Sequence, residues 1–220
     1  MSKILVVANQ KGGVGKTTTA VNLSASLAAT KRKVLMVDLD PQGNATMGCG
    51  IDKHDLKLSL YDVLTAKCNI LEAIVTAEKA GFDVLPTNSD LTAAEVELMD
   101  TPNRESRLRS ALKEVSANYD YIIIDCPPAL SMLTVNAMVA AEGVLIPMQC
   151  EYYALEGLSA LMQTIEKIKS KLNPKLEIEG ILRTMYDPRN SLTTDVSTQL
   201  MTHFGDKVYS TVIPRNVRLA

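Results

Sequence analysis

Residues 9–20 read Asn-Gln-Lys-Gly-Gly-Val-Gly-Lys-Thr-Thr-Thr-Ala. Three glycines within four positions, followed at once by Lys16 and Thr17, suit the binding of a chain of phosphates. Gly12, Gly13 and Gly15 let the backbone curl so that successive N–H groups point inward at phosphate oxygens. The start of the following helix adds the positive end of its dipole. Lys16 is then placed to reach the β- and γ-phosphates, and the Thr17 hydroxyl to bind Mg²⁺. Two details depart from the common pattern G-x-x-x-x-G-K-[ST]. Gln10 stands where the first glycine belongs, and a second lysine, Lys11, precedes the glycines.

A magnesium ion needs a second anchor, and YIIIDCPP (121–128) offers one. Its apolar run would deliver Asp125 to a sheet edge beside the loop, holding the metal through a water. Pro127 and Pro128 then make a stiff turn, suited to a segment that senses the γ-phosphate. VDLDPQGNAT (37–46) ends in two carboxylates, Asp38 and Asp40. One of them could position or deprotonate an attacking water; the other would fix the turn or bind metal-held waters. The pattern alone does not choose between them.

These groups converge only if a scaffold brings their strand ends together. Short β-branched runs alternate with helical stretches, which predicts an α/β fold: a mostly parallel, twisted sheet with helices on both faces. Strands are expected at 4–8, 33–38, 82–86, 121–125, 143–148, 178–184 and 208–214. Helices are expected after the loop and at 106–117, 154–172 and 193–204. In the third of these, Leu155, Leu158, Leu161, Met162, Ile165, Ile168 and Leu172 recur at helical spacing and predict a buried stripe. The 220 residues, 46% hydrophobic and 22% charged, fit one domain over 1–220.

A net charge of −2 gives no general attraction to nucleic acid or membrane. Residues 163–220, however, carry nine Lys/Arg against six Asp/Glu, whereas residues 1–162 carry 14 against 19. The excess hints at a basic face in the last third. No apolar run is long enough to span a bilayer, and the N-terminal run reads as a strand and not a signal peptide. The expectation is a cytoplasmic protein without a membrane partner. Cys49, Cys68, Cys126 and Cys150 show no metal-binding spacing, and His54 and His203 stand apart in sequence. Tyr152 and Tyr153 are assigned to packing or a dimer surface.

Taken together, KGGVGKTT, DLDPQGNAT, YIIIDCPP, QCEYYALEGL and VIPRNVRL resemble the ParA/Soj chromosome- and plasmid-partitioning ATPases. These are P-loop NTPases of the deviant Walker-A group, which also holds the MinD division-site ATPases and the nitrogenase iron protein. The loop specifies only the group; the other four segments specify the partitioning branch. The resemblance implies ATP and Mg²⁺, with Lys11, Gly12, Gly13, Val14, Gly15, Lys16, Thr17 and Thr18 around the phosphates. It implies Lys11 as the signature lysine, reaching across a nucleotide-sandwich homodimer to the partner's phosphates. Two lysines in one empty loop repel, whereas a triphosphate can hold both. A cation supplied in trans resembles an arginine finger, worth about 10³–10⁵ in rate in the general case.

The resemblance further selects Asp40 for hydrolysis, with Asp38 in support, and places Pro214 and Asn216 around the adenine. It points to Arg189 and Arg218 for non-specific binding of double-stranded DNA, and to a ParB/Spo0J-type partner that stimulates hydrolysis. It implies a nucleoid-associated location. The loop's start at residue 9 leaves no room for a helix-turn-helix extension, which favours the short Soj-like type. Relatives continue past PRNVRL, so the domain is expected to lack its C-terminal segment. Two other readings compete: a MinD-like membrane-associated ATPase, and an iron–sulfur carrier using cysteines such as Cys126 and Cys150 from two subunits.

Overall fold

The computed structural model describes residues 2–216. One eight-stranded sheet organises them, in the order β3-β4-β2-β5-β1-β6-β7-β8. Its strands are β1 (Lys3–Val7), β2 (Val34–Asp38), β3 (Val75–Ala77), β4 (Phe82–Leu85), β5 (Tyr121–Asp125), β6 (Gly143–Gln149), β7 (Glu177–Tyr186) and β8 (Val208–Pro214). All neighbours pair in parallel except β3, which pairs antiparallel with β4. Parallel strands are covered on both faces, so their runs are apolar without alternation. In β5, Ile122 and Ile124 pack on one face and Ile123 on the other, all fully buried.

The helices are α1 (Lys16–Ala29), α2 (Asn44–Gly48), α3 (Leu60–Leu64), α4 (Ile70–Ala73), α5 (Leu91–Glu97), α6 (Arg107–Val115), α7 (Met132–Ala140), α8 (Ala154–Lys171) and α9 (Ser191–Phe204). The stripe expected in α8 is present: Leu158, Leu161, Ile165 and Ile168 are buried, Leu155 and Met162 are partly buried against the same core, and Leu172 lies just past the helix end, half exposed. Helix α7 was not legible as a helix. Leu133, Thr134, Asn136, Ala137, Met138, Val139 and Ala140 are all buried, so it shows no polar face and hence no periodicity. The short strand β3 and the helices α2 to α5, of seven residues or fewer, are likewise too short to show a period.

The topology sets the site. From β1 the chain crosses through α1 to β2, whereas from β5 it crosses through α7 to β6, on the opposite side of β1. In open α/β sheets the crevice beyond the carboxyl ends, where connections diverge, is where ligands bind. At that edge Val7 and Asp38 both lie in register with Asp125. On the α1 side, a mainly apolar groove of about 470 Å³ runs along β1, β6, β7 and β8, lined by Leu145, Leu182, Tyr209 and Ile213 among others.

Candidate nucleotide site

The loop between β1 and α1 is braced from three sides. Asn9, buried, donates from Nδ2 to the Pro147 carbonyl (2.8 Å), and its Oδ1 accepts from the Lys11 amide (2.9 Å). Thr184 of β7 donates its hydroxyl to the Val14 carbonyl (2.8 Å). Gly13 and Gly15 adopt φ of 71° and 86°, the left-handed region that glycine enters without steric penalty. Gly15 starts α1 with no side chain capping the first amides. Those amides and the positive helix end therefore point at the crevice.

The two lysines of the loop face different ways. Lys16 is only 7% exposed, and its Nζ donates to the Lys11 carbonyl (3.0 Å). Burial lowers its pKa, while the charges of Asp125 and Asp40 work against that fall. Lys11 turns outward, and its Nζ forms an ion pair with Glu151, just beyond β6. One cation lies in the crevice and the other at its rim.

Three carboxylates sit beyond the strand ends. Asp38 is fully buried and engaged on both oxygens: Oδ2 accepts from the Thr46 amide and hydroxyl (2.7 Å each), and Oδ1 from the Asp40 amide (3.3 Å). Both Asp38 oxygens are thus taken up in the turn that carries Asp40. Asp40 is partly exposed and accepts the Gln42 amide on Oδ1 (3.0 Å). Asp125 is fully buried, and neither of its oxygens has a hydrogen-bond partner. Burial first, then the Asp38 charge, pushes its carboxyl up to about 8. The Thr17 hydroxyl lies close enough to oppose the rise without closing a well-formed hydrogen bond. Burial also lifts Asp38, to about 6, against its bonds from Thr46.

An unsatisfied buried carboxylate is costly unless something charged or donating completes it. Among the described residues no three His, Cys, Asp or Glu side chains converge as a metal cage. A buried, unpartnered Asp125 beside the Thr17 hydroxyl fits Mg²⁺, which takes one or two protein carboxylates and fills its sphere with water and phosphate oxygens. Of the cysteines, Cys126 and Cys150 are buried, so neither thiol lies at a surface where a second chain could share it.

The other expected site residues fall in two places. Pro214 and Asn216 line a cleft of about 120 Å³ together with Gly15 and Thr18 of the loop. Thr184 and Met185 complete the same wall, and no motif points to them. Met185 holds a left-handed φ of 48°, unusual for a non-glycine residue and a kind of strain that collects at ligand sites. Arg189, its side chain 88% exposed, lies between β7 and α9 and grips Asp187 with two nitrogens (2.9 and 2.7 Å). That pairing holds the Asp187 carboxyl down at about 2. Arg218 lies outside the described residues.

A family model described as an AAA domain matches residues 2–178. The chain is 53% identical over 220 residues to the chromosome partitioning protein ParA of Caulobacter vibrioides, covering 99% of this chain and 82% of that one. It is equally 53% identical to the sporulation initiation inhibitor protein Soj of Bacillus subtilis, covering 100% of this chain and 87% of that one. The chain belongs to the ParA/Soj family of partitioning ATPases. This ParA/Soj chain also superposes on a crystal structure from Mycobacterium smegmatis, described as a cobyrinic acid a,c-diamide synthase with bound ATP analog and magnesium. The TM-score is 0.93 at 39% identity, over 98% of this chain and 88% of that one. The likeness in fold therefore extends beyond proteins with partitioning names. Among the described residues of this ParA/Soj chain, no helix is long and apolar enough to cross a membrane.

Proposed function

We propose that this chain is an ATP-driven DNA-partitioning switch that acts as a pair. The observation that carries the reading is the division of labour between two lysines of one loop. Lys16 is buried at the crevice, whereas Lys11 stands at the rim where a second chain could approach. The chain is an ATPase, with ATP as substrate and Mg²⁺ as cofactor. Lys16 and the loop amides from Gly12 to Thr18 bind the phosphates, and Lys11 contacts those of the partner copy. Thr17 directly, and Asp125 through water, would hold Mg²⁺, which when bound neutralises charge on the β- and γ-phosphates. Asp38 fixes the turn that presents Asp40, and Asp40 orients the attacking water. Pro214 and Asn216 bracket the adenine.

The ATP-bound dimer grips double-stranded DNA through phosphate contacts without reading sequence, which makes binding salt-dependent and places the protein on the nucleoid. Arg189 and Arg218 contribute to that face. A ParB-type partner stimulates hydrolysis and release. Intrinsic turnover is slow, because a switch must dwell in its ATP state. Co-sedimentation with DNA in ATP, in ADP and without nucleotide, at low and high salt, tests the reading. Binding is expected in ATP alone and to fall with salt; equal binding in all three states refutes it.

A further inference from the structure

The ion pair at the rim has a consequence for when two copies can join. Glu151 is not a wandering surface side chain. Its amide bonds the Gln149 carbonyl (2.9 Å), and its carbonyl accepts from Ala154 at the start of α8 (3.0 Å). Thr193 of α9 secures the preceding Cys150 carbonyl (3.4 Å). On the other side, Lys11 is fixed at its amide by Asn9 and at its carbonyl by Lys16. Two anchored backbones thus hold opposite charges together within one chain.

We infer that Glu151 is a positioning residue that parks Lys11 on its own chain, so that pairing with a second copy requires the Lys11–Glu151 contact to open. The inference rests on the reading that Lys11 acts in trans. It adds a threshold to that reading. A Lys11 already paired in cis has little to gain from a partner until a triphosphate there outbids one carboxylate. Opening also leaves Glu151 as an uncompensated negative charge near the incoming phosphates.

The magnitude follows from exposure. Both side chains are nearly half exposed, at 40% and 45%, so the pair biases its own equilibrium only by roughly 1.5- to 5-fold. A symmetric dimer opens two such pairs, which squares the effect to roughly 2- to 25-fold in the dimerisation constant. The latch tunes the threshold and does not block assembly.

Sedimentation equilibrium with a non-hydrolysable ATP analogue and Mg²⁺ tests it, on wild type, Glu151→Gln, Lys11→Ala and the double variant. Glu151→Gln is expected to dimerise at roughly 2- to 25-fold lower protein concentration in low salt, with the gap closing at about 0.5 M salt. In the Lys11→Ala background the glutamine is expected to change nothing. Glu151→Gln that dimerises no more tightly than wild type overturns the latch, as does an equal gain in the Lys11→Ala background. If Lys11→Ala itself dimerises and hydrolyses ATP like wild type, it is the in-trans reading that fails.

Discussion

Replacing Asp125 by asparagine should make the nucleotide-free protein more resistant to heat as pH rises, although it removes a residue assigned to the metal. Asp125 is fully buried beside Asp38 with both oxygens unsatisfied, and its pKa rises from the ordinary carboxylate range to about 8. The folded chain therefore keeps a proton that the unfolded chain releases near pH 4. Between those values the native state binds more protons than the unfolded state, so stability falls as pH climbs. The contribution is complete below about pH 4 and is lost as pH passes through 8. From pH 5 to pH 8, at about 1.36 kcal/mol per unit, the loss is about 3–4 kcal/mol. For a chain of this size that corresponds to roughly 6–16 °C in Tm. An asparagine has no charge to bury, so its melting curve omits this term. Thermal melts by circular dichroism, in EDTA and without nucleotide, should show the variant's Tm minus the wild type's growing by at least about 5 °C between pH 5 and pH 8. A gap that stays constant, or one that shrinks, refutes the claim that Asp125 is a buried carboxylate without a hydrogen-bond partner.

Three further expectations concern other parts of the molecule. Asp40→Ala should slow single-turnover hydrolysis by about 10²–10⁴ while leaving ATP binding intact, so that ATP-bound dimer accumulates on gel filtration. Arg189→Ala should weaken DNA binding across all sequences and reduce the salt slope by about 1; Asp187→Asn, which frees the guanidinium from its bidentate partner, should tighten it. A filter-binding salt titration reads both. A Cβ at Gly180 would lie 2.5 Å from the Tyr209 ring, so Gly180→Ala should cost about 1–3 kcal/mol in urea unfolding, and Tyr209→Ala should restore part of it.

A residue's role is legible in the sequence when its chemistry depends on its own neighbours, and hidden when it depends on distant ones. The loop was legible as a strand–glycine–helix turn because Gly12 to Thr17 form one contiguous stretch from the end of β1 into α1. Asp125 was legible because the apolar run before it could only be a buried strand, which delivers its last residue to the edge. Helix α7 was hidden by burial on all sides, since periodicity needs a wet face. Met185 and Thr184 were hidden because their place in the cleft follows from β7 lying next to β8 and the loop, a long-range fact. Glu151 lies inside QCEYYALEGL, but its contact is not written there. Its partner is 140 residues away, and nothing in either stretch says that the two charges meet.

The site is built from groups that cannot all keep their charges comfortably. Asp38 and Asp125 stand side by side on neighbouring strands, and Lys11 and Lys16 share one loop. Each conflict has a local settlement. Burial and the Asp38 charge favour the protonated form of Asp125, Lys16 bonds a carbonyl of its own loop, and Lys11 pairs with Glu151. Each settlement is also reversible, because a proton, one charge-assisted hydrogen bond to a carbonyl and a half-exposed ion pair can each be exchanged for a stronger partner. A polyanion carrying a divalent cation answers both conflicts at once: the metal for the carboxylates, the phosphates for the lysines. Neither free nucleotide nor free metal does so alone. The arrangement therefore predicts that the stabilisation of the protein by ATP and Mg²⁺ together exceeds the sum of their separate effects. Thermal melts with each and both would decide it, and simple additivity would show that the two halves of the site do not share their charges.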